Sequence, residues 1–317
     1  MKLAVVPETV TERVIGMVTE LALGLVTGVG LTQRWQEALL LEGETDLIES
    51  SVRELTEYFG ISRVDALEAC VTALRESKRE WEADPRETPE DIEAFYRTTR
   101  SYLFEHLWWH ATDPEECAVN VALLDYARSI GAYQYLDFGS GVGSNAILFA
   151  RHGLKVTLAD ISPTMLAFAR WRLQRRGLRA EFIDLNHQVL PRQQFAFATA
   201  VDVLEHLCDP AAEMEKISQS LVSGGVFAFN FRAGHDPERP MHILSTGAPI
   251  FQALRGCGLR ALTLQSDSGA ELQRREFYCA KRVAQSRVRS WGYQALDLVY
   301  QSDRMQHLMK EWMRQAS

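Results

Sequence analysis

The stretch that decides the fold runs from residue 133 to 160 and reads YQYLDFGSGVGSNAILFARHGLKVTLAD. Its pattern predicts a short strand, a turn containing three glycines, an apolar helix, and a second strand that ends on an acid. Glycines at a strand-to-helix turn let the backbone approach a ligand closely, and the first N–H groups of the helix are free to bind it. The stretch therefore predicts a nucleotide-like cofactor site.

The spacing of the glycines separates two kinds of nucleotide site. The dinucleotide fingerprint G-x-G-x-x-G/A needs a small apolar residue at the position that Ser144 occupies here. This chain instead has Asp137 two residues before Gly139, which gives D-x-G-x-G-x-G. That pattern resembles motif I of the class I S-adenosylmethionine-dependent methyltransferases. An acid before the glycines repels phosphates and suits a ligand with an ammonium and a sulfonium group.

The resemblance implies that S-adenosylmethionine is the cofactor, and it suggests which residues touch it. Asp160, at the end of the second strand, would accept both ribose hydroxyls. Asp184, at the end of the third strand, would accept the adenine amino group, and Leu185 would flank the ring. The whole expected set is Asp137, Gly139, Ser140, Gly141, Gly143, Asp160, Ile161, Asp184, Leu185, Tyr102 and Asp202.

Strands and helices continue to alternate after this stretch. The turn at 267–269 predicts a hairpin between the last two strands, so the seventh strand is expected to be antiparallel. The fold class is therefore predicted to be α/β, a doubly wound seven-stranded sheet with an N-terminal helical domain. The five strands after the first two are expected near 179–183, 195–201, 225–231, 259–265 and 271–280.

Three domains are expected. Residues 1–85 would form a helical cap or dimerisation domain, through which a homodimer would assemble. Residues 86–282 would form the methyltransferase core with its lid helix. Residues 283–317 would form a helix that packs on the N-terminal domain.

The N-terminal part reads as helical throughout. Apolar residues predict a buried helix over 8–41, which is too polar at both ends for a membrane span. A helical pair follows over 46–82, with Ser62 as the N-cap of its second helix. The pair faintly resembles a helix-turn-helix, but its acids outnumber its bases, whereas a helix that reads DNA needs net positive charge.

Composition narrows the class of partners. The chain has 317 residues, a net charge of -8 and a pI near 5.6, which argues against a broad nucleic-acid footprint. Its five cysteines are scattered, odd in number and without C-x-x-C spacing, so they read as reduced thiols. No signal peptide is evident. We therefore expect a cytoplasmic protein with a small-molecule acceptor.

A linker over 83–89 precedes an aromatic helix that reads DIEAFYRTTRSYLFEHLWWH. Many small-molecule methyltransferases carry a similar helix that closes over the cofactor and substrate, so Tyr96 and Tyr102 are the lid candidates. His106 and His110 share one face of this helix. They lack the H-E-x-x-H pattern, so no metal site is expected there.

The end of the fourth strand, where the methyl group would depart, reads VDVLEH. This differs from the N/D-P-P-Y/W motif of enzymes that methylate bases. It resembles the E-x-x-E-H of the ubiquinone-pathway O-methyltransferases and of small-RNA terminal 2'-O-methyltransferases, in which the acids and the His bind a divalent metal. In this chain Asp202, Glu205 and His206 would bind a metal, or His206 would be a metal-free base that titrates near its free pKa of about 6.5, or all three would be structural.

The loop after the fifth strand, RAGHDPERPMHIL, carries two further imidazoles. We expect it to contact the substrate. The predicted function is methyl transfer to an O, N or C nucleophile of a small molecule. The alternatives are a terminal RNA 2'-O-methyltransferase and a non-catalytic, cofactor-sensing helical interaction or DNA-binding protein. The catalytic candidates are His206, Glu205, Asp202, His235, His242 and Tyr96, with no metal ligand assigned.

Overall fold

The computed structural model describes residues 30–262, 272 and 276–283. All of these belong to one compact unit, so the boundary predicted at residue 85 does not divide two separate bodies. Three predicted features lie outside the described residues. They are the helix before residue 30, the hairpin turn at 267–269 and the helix over 284–317.

Seven strands form one mixed sheet in the order β3-β2-β1-β4-β5-β7-β6. Neighbours among β1 to β5 pair in parallel, and β7 is antiparallel to both β5 and β6, which confirms the predicted sheet. The bounds are β1 (Gln134–Phe138), β2 (Lys155–Asp160), β3 (Ala180–Asp184), β4 (Phe195–Ala200), β5 (Leu221–Phe229), β6 (Leu259–Ala261) and β7 (Tyr278–Arg282).

Helices cover the sheet and form the N-terminal region. Among the described residues, no helix is long and apolar enough to span a membrane. The helices are α1 (30–39), α2 (Leu47–Phe59), α3 (Arg63–Ala83), α4 (Pro89–Thr98), α5 (Ser101–Thr112), α6 (Pro114–Cys117), α7 (Val119–Ser129), α8 (Ser144–Arg151), α9 (Pro163–Arg175), α10 (Pro210–Ser220) and α11 (Ala248–Gly256), with a 3-10 turn over Leu204–His206.

Two of the predicted strand boundaries are wrong. Strand β5 begins at Leu221, before the glycines that were expected to form a turn. Its register to β4 shifts there, and a Cβ on Gly225 would lie 2.9 Å from the Phe195 carbonyl oxygen, so the glycine lets an irregular strand pass close to its neighbour. Strand β7 begins at Tyr278, later than the predicted residue 271.

The single aromatic helix predicted before the core is two helices, α4 and α5. Thr99 ends α4 in an extended conformation (φ -58°, ψ 135°), and its hydroxyl donates to a Glu80 carboxylate oxygen at 2.6 Å. A threonine side chain with a buried partner competes with the helical backbone. This break allows the two helices to cover different parts of the sheet edge.

The N-terminal helices pack on the core through charged groups. Glu54 of α2 accepts hydrogen bonds from Arg172 and Arg176, and all three side chains are at most 3% exposed. Ser62 caps α3 as predicted, in a reciprocal capping box with Asp65. Four arginines of this pair of helices each lie within 4.0 Å of an acid, so their charges do not form a free basic face: Arg53, Arg63, Arg75 and Arg79.

Candidate functional site

The glycine turn between β1 and α8 has the geometry that its sequence predicts. Gly139, Gly141 and Gly143 have φ values of 67°, 50° and 75°, a region that glycine adopts without strain. A Cβ on Gly139 would lie 2.5 Å from Val203, and one on Gly143 would lie 2.8 Å from the Cβ of Ala169. The turn therefore requires glycine for two reasons, its positive φ angles and the close approach of neighbouring side chains.

Asp160 fixes this turn from the end of β2. One carboxylate oxygen accepts the backbone N–H of Gly141, and the other accepts that of Ser162, each at 2.8 Å. Burial raises the pKa of Asp160 above its usual value, although the backbone donors oppose that shift. Each oxygen keeps a second lone pair for a ligand.

A cavity of about 1140 Å³ opens above the turn, at the carboxyl ends of the strands. This exceeds the ~300–1,000 Å³ of most small-molecule pockets, so it has room for a nucleoside cofactor and more. With its glycine turn and its acid, the cavity fits S-adenosylmethionine. The predicted residues that line it are Tyr96, Tyr102, Gly139, Gly141, Asp160, Ile161, Leu185, Asp202 and His206.

Four predicted cofactor residues do not line this cavity. Ser140 and Gly143 lie within the turn but not on the cavity wall. Asp137 is buried below the turn, where it accepts hydrogen bonds from Tyr135 and Thr199 at 3.2 and 3.3 Å, and burial raises its pKa to about 7. Its Oδ2 has no partner among the described residues, so the expected contact of Asp137 with a cationic ligand stays a prediction.

The fourth is Asp184, which was expected to bind adenine. Its Oδ1 accepts the backbone N–H and the side-chain Nδ2 of Asn186, at 2.9 and 2.7 Å. Asn186 lines the cavity, and Asp184 supports it from behind. The sequence offered one signal for Asn186, which is its place directly after Leu185 at the end of the third strand.

His206 lines the same cavity, and both of its ring nitrogens have partners. Its Nδ1 lies 2.9 Å from the Tyr96 hydroxyl and 3.1 Å from the Met241 carbonyl oxygen, and its Nε2 lies 3.2 Å from the Tyr102 hydroxyl. Burial lowers the pKa of His206 to about 3, assisted by His242. The expected titration of His206 near pH 6.5 is therefore wrong.

The two histidines of the loop after β5 have different positions. The ring of His242 lies 4.8 Å from that of His206, and burial lowers the pKa of His242 to about 4. His235 is exposed and does not line the cavity. The structure thus brings one of the two predicted imidazoles to the site.

The two acids of the strand-four motif also differ. Glu205 is fully buried with no hydrogen-bond partner on either oxygen, and burial raises its pKa to about 8. Asp202 has a left-handed backbone (φ 52°) and exchanges two 2.7 Å hydrogen bonds with Asn230. It lines the large cavity and also a second one of about 420 Å³, so it lies between the two.

A metal site was one open interpretation of this motif. Glu205, His206 and His242 each offer a ligand atom within 4.8 Å of the others. However, metal binding needs a free imidazole lone pair, and both nitrogens of His206 already have partners. The arrangement does not fit a resident ion, and we derive no step through one.

His106 belongs to the site, although its sequence position gave no such signal. It lines the cavity, and its Nδ1 lies 2.9 Å from where a Cβ on Gly141 would be. Burial lowers its pKa to about 4, assisted by the charge of Arg239. Within the described part of the chain, neither ring nitrogen of His106 has a hydrogen-bond partner, although its ring packs 4.5 Å from that of Tyr102.

Arg172 of α9 is a second residue that the sequence did not indicate. One guanidinium nitrogen donates to the Val142 carbonyl oxygen at 2.8 Å and to the Ser144 hydroxyl at 3.0 Å. Its Nε donates to Glu54 at 2.9 Å, and His110 of α5 also bonds Ser144 at 2.9 Å. The glycine turn is thus tied to the N-terminal helices.

Comparisons with known proteins agree with this geometry. Residues 136–227 match the family model described as "Methyltransferase domain". The chain is similar to ubiquinone biosynthesis O-methyltransferases of Xanthomonas euvesicatoria pv. vesicatoria (29% identity, 37% of this chain and 53% of the relative) and Xylella fastidiosa strain M23 (30%, 37% and 51%). The match thus spans about half the length of these relatives.

One similar solved structure is the 1,6-didemethyltoxoflavin-N1-methyltransferase of Burkholderia thailandensis. It shares 20% identity at a TM-score of 0.47, over 63% of this chain and 93% of that one. The matched family domain begins in β1 and ends in β5, and it encloses the glycine turn, Asp160 and His206. Over residues 136–227, which run from β1 into β5, this chain is therefore similar to a methyltransferase domain.

Proposed function

We propose that this protein transfers a methyl group from S-adenosylmethionine to an O, N or C nucleophile of a small-molecule metabolite. The observation that carries the proposal is Asp160, a buried carboxylate that holds the glycine turn and faces the cavity. When bound, the cofactor supplies a methyl carbon already activated by its sulfonium. The protein therefore has to bind, orient and accept a proton.

Residues that line the cavity account for binding and orienting the cofactor and for covering the site. Asp160 offers its remaining lone pairs to the ribose hydroxyls, and Leu185 and Ile161 offer apolar contacts to the adenine. Helices α4 and α5 cover the cavity with Tyr96 and Tyr102, which are held in place by His206. A covered site keeps water from the reacting atoms.

A small acceptor suits this site better than a nucleic acid does. A surface that binds the phosphate backbone of a nucleic acid needs a row of unpaired cationic side chains. Of the three Arg and Lys side chains on the cavity wall within the described residues, Arg97 and Lys216 are each paired with an acid on their own helix, which leaves Arg192 and no row of free cations. The arginines of α2 and α3 are paired as well. These contacts favour a metabolite over RNA or DNA as the partner.

The test is a screen of candidate acceptors for release of S-adenosylhomocysteine. Because both relatives are named O-methyltransferases, hydroxyl compounds form the first panel, followed by amines and carbon acids. We expect acceptor-dependent release by the native chain and at least tenfold less by Asp160→Asn. Release that is the same for both proteins would contradict the proposed site.

A further inference from the structure

We propose that His106 is the catalytic residue that receives the proton of the acceptor during methyl transfer. This inference rests on the proposed function and adds a residue to it. Class I methyltransferase motifs lie within residues 136–227, and His106 precedes them on α5. The argument comes from its position and its unoccupied ring.

His206 is poorly placed to accept a proton. Its Nε2 lies 3.2 Å from the Tyr102 hydroxyl, and its Nδ1 is shared between Tyr96 and the Met241 carbonyl oxygen. One arrangement satisfies all of these groups: Tyr96 donates to Met241, Nδ1 donates to Tyr96, and Tyr102 donates to Nε2. His206 then has a structural task, which is to hold the two tyrosines that cover the cavity.

His106 differs from His206 in its position and in the partners of its ring nitrogens. It projects from the second turn of α5 onto Gly141, so it lies beside the turn where the cofactor binds. Within the described residues its nitrogens have no partner, so one can accept a hydrogen bond from a ligand. The Tyr102 ring fixes its orientation from one side. A neutral, unoccupied imidazole that lines the cavity beside the glycine turn is placed to act as a general base.

The change in charge during methyl transfer also suits a histidine that is neutral before the reaction. The bond between carbon and the acceptor atom forms as the sulfur–carbon bond breaks, and its electron pair stays on sulfur. The acceptor's O–H or N–H proton moves to a ring nitrogen of His106 and from there to solvent. One positive charge therefore leaves the sulfonium as one appears on the imidazole, so the net charge of the cavity is constant. The acceptor class is a hydroxyl or amine that must lose a proton.

The first arm of the experiment needs no acceptor. Diethyl pyrocarbonate acylates unprotonated, unoccupied imidazole nitrogens, and peptide mapping shows which histidine has reacted. We expect modification of His106 in the free protein, protection of His106 by S-adenosylhomocysteine, and little modification of His206 in either state. If S-adenosylhomocysteine binds by calorimetry but leaves the modification of His106 unchanged, this inference is wrong. If it does not bind at all, the proposed function is wrong.

The second arm compares variants with the best hydroxyl or amine acceptor from the screen. A general base contributes ~10²–10⁴-fold, so His106→Gln should lower kcat by that factor with nearly unchanged affinity for S-adenosylhomocysteine. Added imidazole should restore part of the rate. His152→Gln, at an exposed histidine outside the cavity lining, is the control and should keep the native rate. A His106→Gln protein with native kcat would overturn the proposal.

Discussion

Two parts of the wall of the large cavity, which we call the glycine-turn end and the histidine end, are built in opposite ways. At the glycine-turn end, backbone N–H groups and one carboxylate satisfy each other within residues 139–162. At the histidine end, side chains from α4, α5, the 3-10 turn and the loop around Met241 meet around His206. The first end is a local structure, and the second is assembled from distant segments.

The difference also appears in how buried polar groups are partnered. Asp160 has a backbone donor on each oxygen, whereas Glu205 has none. A buried carboxyl group that accepts hydrogen bonds ionises more readily and can bind a ligand as the carboxylate. A buried carboxyl group without hydrogen-bond donors retains its proton more strongly. Among the described residues both ends keep buried polar atoms without a partner, Asp137 Oδ2 and Ser140 Oγ at the glycine turn and both oxygens of Glu205 at the histidine end. The contrast therefore lies in Asp160 and Glu205 themselves.

The largest loss of stability is expected when the side chain that supports the glycine turn is removed. Arg172→Ala removes a buried partner of Glu54 and of the glycine turn, which should lower the free energy of unfolding by about 3–5 kcal/mol. Arg175→Ala is the matched control, because Arg175 pairs with Glu57 across the same two helices but is partly exposed. It should cost at most about 1 kcal/mol. Denaturant unfolding measures both, and equal losses would refute the support role.

The next prediction concerns Glu205. Its pKa is raised from 4.5 to about 8, so the folded state binds the proton more tightly than the unfolded state. The native protein should therefore lose stability from this group as pH rises from 4.5 to about 8. Glu205→Gln should be more stable than the native protein at the upper end, by on the order of 2 kcal/mol or more. Unfolding curves across that pH range measure the difference, and a constant difference would show that Glu205 does not retain a proton.

A smaller effect is expected at the lid. Tyr96→Phe removes a hydroxyl that bonds both His206 and the Met241 carbonyl oxygen. Because His206 Nδ1 and that oxygen remain 3.1 Å apart and still pair, the loss should be about 0.5–1.5 kcal/mol. Tyr133→Phe, at a ring that is 64% exposed, should be near neutral. Thermal unfolding compares the two. A neutral Tyr96→Phe would mean that the lid is not held at His206.

No effect is expected from chelation, because the nitrogens of His206 already have partners. Treatment with EDTA should leave both the melting temperature and the affinity for S-adenosylhomocysteine unchanged. Elemental analysis of untreated protein gives the complementary measurement. A stoichiometric divalent ion that disappears with His242→Ala would restore the metal interpretation.

The same contrast explains what the sequence could predict. Gly139, Gly141 and Asp160 were recognisable because the geometry of a strand-turn-helix unit is encoded by neighbours along the chain. The seven-stranded sheet followed from the alternation of elements, and the antiparallel seventh strand followed from the turn at 267–269. By contrast, Arg172 acts on Glu54, which is 118 positions away, and no local pattern predicts such a contact.

The failures at the histidine end have a similar cause. The strand-four motif singled out His206 and nothing in the sequence singled out His106, and only the packing of α5 on the turn shows which ring is unoccupied. The break between α4 and α5 was missed because it depends on Glu80, a partner on another helix. Asp137 was assigned to the ligand on its position in the motif, and local sequence did not predict that Tyr135 and Thr199 would both donate to its Oδ1.

The most direct test of the account is calorimetric titration of S-adenosylhomocysteine into the native protein, Asp160→Asn and Asp184→Asn. We expect one site per chain in the native protein and a loss of ~2–4 kcal/mol of binding free energy in Asp160→Asn. Asp184→Asn should lose less, because Asp184 acts through Asn186. No binding by a folded native protein, or equal affinity of the native protein and Asp160→Asn, would contradict the cofactor site described above.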